Sequence, residues 1–215
     1  MIKGLIFDMD GVLIDSEPIY KQLNTELFKK LGFTLSEEEY AQFVGTTDEK
    51  MLGDLKERFS LDQSIGEMNT LREKVHMAYF KEADLVPMEG LIDLLKWAEK
   101  AGLKLAVASS TDERFVYLIL KKLDILEFFE AVVCGNHIAR SKPAPDIFLE
   151  SANKLSVKPE SCIVIEDSTN GVKAGKKAGM YVIGFQSDDG SQDLSDSDRR
   201  VKSLREAKAQ IEACQ

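Results

Sequence analysis

The chain has 215 residues, 44% of them hydrophobic and 30% charged, a composition that excludes a disordered chain and leaves room for one core domain plus an insertion. Its 28 Lys and Arg against 37 Asp and Glu give a net charge of −9, which disfavours a nucleic-acid or anionic-membrane surface, because both require clustered cations. No apolar run approaches the ~20 residues of a membrane span, and the N-terminus enters Gly4-Leu5-Ile6-Phe7 without a cleavable signal pattern, so a cytoplasmic location is expected, with a monomer as the default.

In chain order, the first strand-like run is Leu5 to Phe7, followed directly by Asp8-Met9-Asp10-Gly11. From Ser16 to Ala83 strand-like runs vanish and helical periodicity takes over. Pro18 suits a first turn, with Ile19, Leu23 and Leu27 on one face; Met51, Leu52, Leu55 and Phe59, then Met68, Leu71, Val75 and Tyr79, supply further stripes. Ser36 with Glu39 and Thr46 with Glu49 form candidate capping boxes. After the insertion, Leu91, Leu94, Leu95 and Ala98 recur at helical spacing with Gly102 placed to end the helix. Short unbroken apolar runs return at Leu105 to Ala108, Ala131 to Cys134, Ile163 to Ile165 and Tyr181 to Phe185, with Asp112 as N-cap of an intervening helix. Unbroken runs imply strands buried on both faces, as in a parallel sheet. The expected fold is α/β, a doubly wound parallel sheet formed by 1–15 and 84–215, with a helical bundle inserted at 16–83. Ser187 to Asp198, rich in Ser, Asp and Gly, reads as a solvated loop with a turn at Asp189-Gly190.

Cys134, Cys162 and Cys214 are odd in number and widely spaced, which favours reduced thiols over disulfides or a zinc site. With only His76 and His137 available, acid/base chemistry must come from carboxylates. These gather where the strands end. Asp8 and Asp10 follow the first strand, Ser109-Ser110 the second and Glu166-Asp167 the fourth, while Lys142-Pro143 lies in the loop after the third; in a parallel sheet all face one crevice. Two aspartates two apart on extended backbone point to the same side, and clustered like charges need a counter-ion. Hard oxygen ligands with room for water suit Mg²⁺, typically shared with a substrate phosphate. Lys142 adds a point positive charge, and Ser109 and nearby amides can donate to phosphate oxygens. Positioning and charge neutralisation are what phosphoryl transfer requires.

Asp8-Met9-Asp10-Gly11-Val12-Leu13-Ile14-Asp15-Ser16-Glu17, Ser109, Lys142-Pro143-Ala144-Pro145-Asp146 and Ile165-Glu166-Asp167-Ser168 with Gly171 resemble the four ordered motifs of the haloacid dehalogenase superfamily. The position of the helical insertion resembles the beta-phosphoglucomutase-like branch, and the likeness covers essentially the whole chain. It implies that Asp8 is a nucleophile forming an aspartyl phosphate, and that Asp10 protonates the leaving alcohol and then activates water. It further implies a Mg²⁺ site at Asp8, the Asp10 main-chain carbonyl and Asp167, with Glu166 either a ligand or a group behind the ligands. Ser109, Ser110 and Lys142 would hold the transferring phosphoryl group. Asp10 argues against dehalogenation, since an acid for a leaving oxygen is useful only in phosphate chemistry.

Two cap positions matter for the choice between phosphatase and mutase. Where mutase relatives carry a histidine and an arginine that handle the second phosphate, this sequence places Tyr20 and Asp48, beside a Gly45-Thr46-Thr47 segment that could form a specificity loop. An acid in place of that arginine disfavours a bisphosphate, so the expectation is a phosphatase acting on a small phosphorylated metabolite such as a sugar phosphate, with the mutase as alternative. Plainer readings stand beside these. Asp15 and Ser16 could cap the first inserted helix, Thr46 with Glu49 could be only a helix entry, and Tyr20 and His76 could be packing residues. A receiver-like signalling domain or a silent phosphate-binding protein also uses an acidic pocket, but neither needs an inserted cap or a leaving-group acid.

Overall fold

The structure is a computed structural model that describes residues 1–43, 48–186 and 192–214. Gly45, Thr46, Thr47 and the Asp189-Gly190 turn lie outside the described residues. The chain divides into two compact units, one formed by Met1–Ser16 with Asp84–Gln215 and the other by Glu17–Ala83. No helix among the described residues is long and apolar enough to cross a membrane.

The larger unit is a six-stranded parallel sheet among the described residues. Its strands are β1 (Gly4–Phe7), β2 (Lys104–Ser109), β3 (Ala131–Cys134), β4 (Cys162–Glu166), β5 (Tyr181–Phe185) and β6 (Arg199–Val201), in the spatial order β3-β2-β1-β4-β5-β6. Every residue of β1, β3 and β4 is buried, as the unbroken apolar runs require of strands covered on both faces. The chain builds outward from β1 through β2 to β3, then returns to β4 on β1's other side. The strand order therefore reverses at β1, and that reversal opens a crevice beyond the carboxyl ends of β1 and β4. Phe7 stands level with Val107 on one side and Ile165 on the other, and the Asp8 amide donates to the Ile165 carbonyl at 3.0 Å. Asp8 thus leaves the sheet in line with Ala108 and Glu166.

Two features differ from the sequence reading. The sixth strand was not foreseen, because Arg199 and Arg200 are exposed and only Val201 is buried, leaving no apolar run to mark it. The acidic stretch is not wholly solvated either. Among its described residues Leu194 is buried, and Asp198 accepts from the Val182 amide at 2.7 Å and from Lys176 at 2.5 Å. Its carboxylates cap main-chain donors and offset a lysine, a use that local composition does not reveal.

The smaller unit contains α1 (Glu17–Leu31), α2 (Glu37–Ala41), α3 (Asp48–Phe59) and α4 (Ile65–Glu82). Leu27, Phe28, Leu31, Met51, Leu52, Leu55 and Met68 form its core, with the Phe33 ring stacked on Phe59 at 4.1 Å between centroids. Each such fully buried side chain contributes roughly 1.5–3 kcal/mol relative to exposure. The Ser36 and Glu39 capping box is present, and Ser64 with Glu67 forms a second one at the start of α4. Phe80 rather than Tyr79 completes the buried stripe of α4, and His76 lies buried within it.

The remaining helices belong to the larger unit: α5 (Leu91–Lys100), α6 (Glu113–Lys122), α7 (Asp146–Lys154), α8 (Thr169–Lys177) and α9 (Leu204–Ala213). Asp112 caps α6 by accepting from the Arg114 amide at 2.9 Å, and Phe115, Val116 and Ile119 face inward as their spacing predicts. All three cysteines are free; burial pushes the Cys134 thiol up to about 12 and Cys162 to about 11, so both behave as small apolar groups.

Candidate active site

Asp8 is the first residue beyond β1 and is almost wholly buried. Directly after it the chain turns back tightly: the Leu13 amide donates to the Met9 carbonyl at 2.9 Å and the Gly11 amide to Ile14 at 2.9 Å. Gly11 has φ +72°, in the left-handed region, and a Cβ there would run into the Asp167 carboxylate. The glycine lets the end of β4 approach the loop that carries Asp10. Ser109 closes β2, fully buried, and its hydroxyl accepts from the Thr111 amide at 3.1 Å; Ser110 beside it is exposed. The Thr111 hydroxyl donates to Asp10 Oδ2 at 3.0 Å.

Lys142 arrives from the loop after β3 and joins these groups. Its Nζ pairs with Asp8 Oδ1, with Glu166 Oε1 at 2.6 Å and with the Ala108 carbonyl at 3.3 Å, and it lies 5.1 Å from the centre of the Phe148 ring. The lysine side chain is only 7% exposed. Burial alone would lower its pKa, but Asp8 and Glu166 outweigh that and push it up, so the ammonium stays charged. Glu166 is fully engaged: Oε2 accepts from the Ser168 amide at 2.7 Å and the Ser168 hydroxyl at 2.9 Å. Ser168 in turn caps α8 through the Gly171 amide, and a Cβ at Gly171 would collide with the Glu166 carboxylate.

The cluster carries a surplus of negative charge. Asp8, Asp10, Glu166 and Asp167 are acidic and Lys142 offsets one of them. Burial is the main cause that raises the Asp8 pKa well above the usual carboxylate range; Lys142 opposes it, while Glu166, Asp167 and Asp10 reinforce it. Asp167 is pushed up to about 8 by burial, then by Glu166 and Asp10. Such a pocket suits a divalent cation, whose charge would reverse both shifts. No three His, Cys, Asp or Glu side chains among the described residues are grouped as a ready-made metal cage. The donor set that fits is smaller: the Asp8 and Asp167 carboxylates with the Asp10 main-chain carbonyl, leaving positions for water and phosphate oxygens as Mg²⁺ prefers. Glu166 accepts from Lys142 on one oxygen and from Ser168 on the other, so it orients Lys142.

Tyr20 and Asp48 both lie in the helical unit. Tyr20 packs with its ring 5.8 Å from that of His76. Asp48 opens α3 and is paired with Arg72 of α4 at 2.9 Å. The acid that stands in place of an arginine thus has a cationic partner from another helix, which offsets part of its charge. Nothing local to Asp48 could have shown it, since the partners are on different helices. Thr111 was likewise missed, because its contact with Asp10 joins two loops 101 residues apart in sequence.

A doubly wound sheet with a buried aspartate just beyond β1, a lysine paired to it and two acids at the end of β4 is the arrangement of an α/β hydrolytic enzyme. The chain belongs to the haloacid dehalogenase-like hydrolases, whose family model matches residues 5–185. It is 32% identical over 185 residues to a phosphorylated carbohydrates phosphatase of Thermotoga maritima, covering 85% of this chain and 84% of that protein. It is 31% identical over 182 residues to the fructose-1-phosphate phosphatase YqaB of Escherichia coli K12, covering 84% and 94%. Among solved structures, CbbY of Rhodobacter sphaeroides in complex with xylulose 1,5-bisphosphate superposes with a TM-score of 0.84 at 27% identity, covering 96% of each chain.

Proposed function

We propose that this protein is a Mg²⁺-dependent phosphatase that hydrolyses the monoester of a small phosphorylated metabolite, most simply a sugar phosphate, through an aspartyl phosphate on Asp8. The observation that carries this reading is the buried Asp8–Lys142–Glu166 chain at the mouth of the sheet, with Asp10 held two residues away. The relatives named as phosphatases of phosphorylated carbohydrates support the substrate class.

In the first step an Asp8 carboxylate oxygen attacks phosphorus and the ester P–O bond breaks, while Asp10 gives its proton to the departing alkoxide, releasing the alcohol. In the second step Asp10 takes a proton from water, whose oxygen attacks the same phosphorus; the bond to Asp8 breaks and inorganic phosphate leaves. Lys142 screens the charge of Asp8 from the incoming phosphate and holds a transferring oxygen, and the Ser109 hydroxyl at the end of β2 is placed to donate to another. Bound Mg²⁺ would neutralise the carboxylates and the phosphoryl group so that the two anions can meet. Ser110, Tyr20 and Asp48 remain assigned to phosphate binding and specificity on the sequence motif alone.

Phosphate release from a panel of sugar phosphates with Mg²⁺, repeated with EDTA and with Asp8→Asn, tests the proposal. Losses of about 10³-fold or more are expected in both controls. Activity that survives chelation or the substitution overturns it. The Arg72 partner of Asp48 keeps a mutase reading alive, because it reduces the repulsion expected against a second phosphate. Faster conversion of glucose 1-phosphate to the 6-phosphate than release of phosphate would establish that alternative.

A further inference from the structure

We infer that Thr111 is a positioning residue for the acid Asp10, an assignment that rests on the phosphatase reading and adds a residue to it. Three observations converge. The Thr111 hydroxyl donates to Asp10 Oδ2 at 3.0 Å, a contact between residues 101 apart in sequence. Its own main chain is fixed on both sides: the Thr111 amide donates to Ser109 Oγ at 3.1 Å, and the Gly135 amide reaches the Thr111 carbonyl at 3.4 Å. A Cβ at Gly135 would collide with the Ser110 carbonyl, so the glycine is what lets the loop after β3 lie against the loop after β2.

That second loop is itself tied down. His137 Nε2 and Glu113 Oε2 lie 2.5 Å apart, while His137 Nδ1 accepts from the Cys134 amide at 3.2 Å, so the ring spans the end of β3 and the start of α6. Asp112, next to Thr111, caps α6. Thr111 is therefore held between a strand end and a helix cap, on backbone that its neighbours restrain.

The chemical consequence concerns the carboxyl of Asp10. A hydroxyl that donates to Oδ2 ties that oxygen to the loop after β2. It also restrains the carboxyl rotamer. An acid free to rotate spends part of its time aimed away from the leaving oxygen, and small misplacements of a catalytic group cost large factors in rate. Ser109 and Thr111 then divide the work of one short loop: the first hydroxyl faces the phosphoryl group, and the second aims the acid that completes its transfer.

The test uses leaving groups that need the acid to different degrees. Phenol has a pKa of about 10, like a tyrosine side chain, and departs poorly without protonation, whereas p-nitrophenol is a much stronger acid and departs readily. In the full chain with Mg²⁺, kcat/KM is measured for phenyl phosphate and p-nitrophenyl phosphate in wild type, Thr111→Val and Thr111→Ser. Valine removes the hydroxyl while keeping the branched shape and the amide bond to Ser109. The expected result is a loss of about tenfold or more on phenyl phosphate against at most about threefold on p-nitrophenyl phosphate, with serine restoring most of the ratio. Equal losses on both esters, or a serine variant as impaired as valine, overturn the assignment. Wild-type inactivity on both esters would instead count against the phosphatase reading, and thermal melting of the variants separates either result from misfolding.

Discussion

The strand-end cluster of the α/β unit and the ion pairs of the helical unit use charged side chains in opposite ways. In the α/β unit, Asp8, Lys142 and Glu166 form a chain whose side chains are 9%, 7% and 1% exposed, with every partner contributed by a different strand end or loop. In the helical unit the ion pairs Lys21–Glu37, Arg58–Glu39 and Glu26–Lys30 lie on the surface, with water on at least one side. The first arrangement is costly to build and is worth its cost only where charge is needed in a dry place. The second does little beyond keeping helices soluble and slightly more stable. The difference sets the buried cluster apart from the ion pairs of the helical unit on physical grounds alone.

The strongest way to break this contrast is to remove the cation from the dry chain. Lys142→Met keeps the length of the side chain but leaves Asp8 and Glu166 buried without their ammonium. Breaking one partner of a buried pair costs about 3–5 kcal/mol. We expect a fall of that order in unfolding free energy by urea titration, together with loss of phosphate release. An Lys142→Met protein as stable as wild type would show that the pocket is wetter than its burial implies, and the contrast between the units would lose its basis.

The helical unit contains one exception, and it supplies a second, smaller test. His76 is 4% exposed within α4, and burial, aided by the Arg72 charge, lowers its pKa from 6.5 to about 4. The imidazole is neutral in the fold and protonates more readily in the unfolded chain. Its contribution is therefore fully present above pH 6.5 and is lost as the pH falls toward 4. Between pH 6.5 and 5 the expected loss is about 2 kcal/mol, at 1.36 kcal/mol per unit. Melting curves of wild type and His76→Leu over that range should diverge by this amount, with the leucine variant less sensitive to acid. Parallel curves would mean that His76 stays solvated in the folded chain.

How much of this could be read from the sequence depended on whether the partners were near one another in chain order or in strand order. Asp8, Asp10, Lys142, Glu166 and Asp167 were legible because a parallel sheet sends every strand end to one side, so residues far apart in sequence can be assigned to one crevice from the strand pattern alone. The apolar stripes of α5 and α6 were legible for the local reason that 3.6-residue periodicity is written into a few turns. Thr111 was not, because its partner is set by how two loops lie against each other. Neither was the Arg72 partner of Asp48, since two helices can meet in many registers that their own sequences do not distinguish. Strand β6 escaped because an edge strand of three residues with two exposed arginines carries no apolar signature. Contacts between loops depend on packing that no local pattern encodes, whereas a repeating backbone writes its period into the residues themselves.

The smallest effect is the most direct measure of the contrast between the units. Glu26 and Lys30 lie at i, i+4 on α1, 3.2 Å apart, each about half exposed. The acid precedes the base, the favourable order along the helix dipole, yet such pairs are worth only about 0.3–0.5 kcal/mol, because water screens them and two long side chains lose freedom. A double-mutant cycle with Glu26→Gln and Lys30→Gln should return a coupling of that size at low salt. At about 1 M salt, where the screening length falls to about 3 Å, the coupling should vanish. The penalty of Lys142→Met should persist under the same conditions, because ions in solution do not reach a side chain that is 7% exposed. Salt thus separates the two kinds of charge by a single variable. If both effects faded together, the Asp8–Lys142–Glu166 chain would be open to solvent, and a dry site holding a divalent cation and a phosphoryl group would lose its electrostatic support.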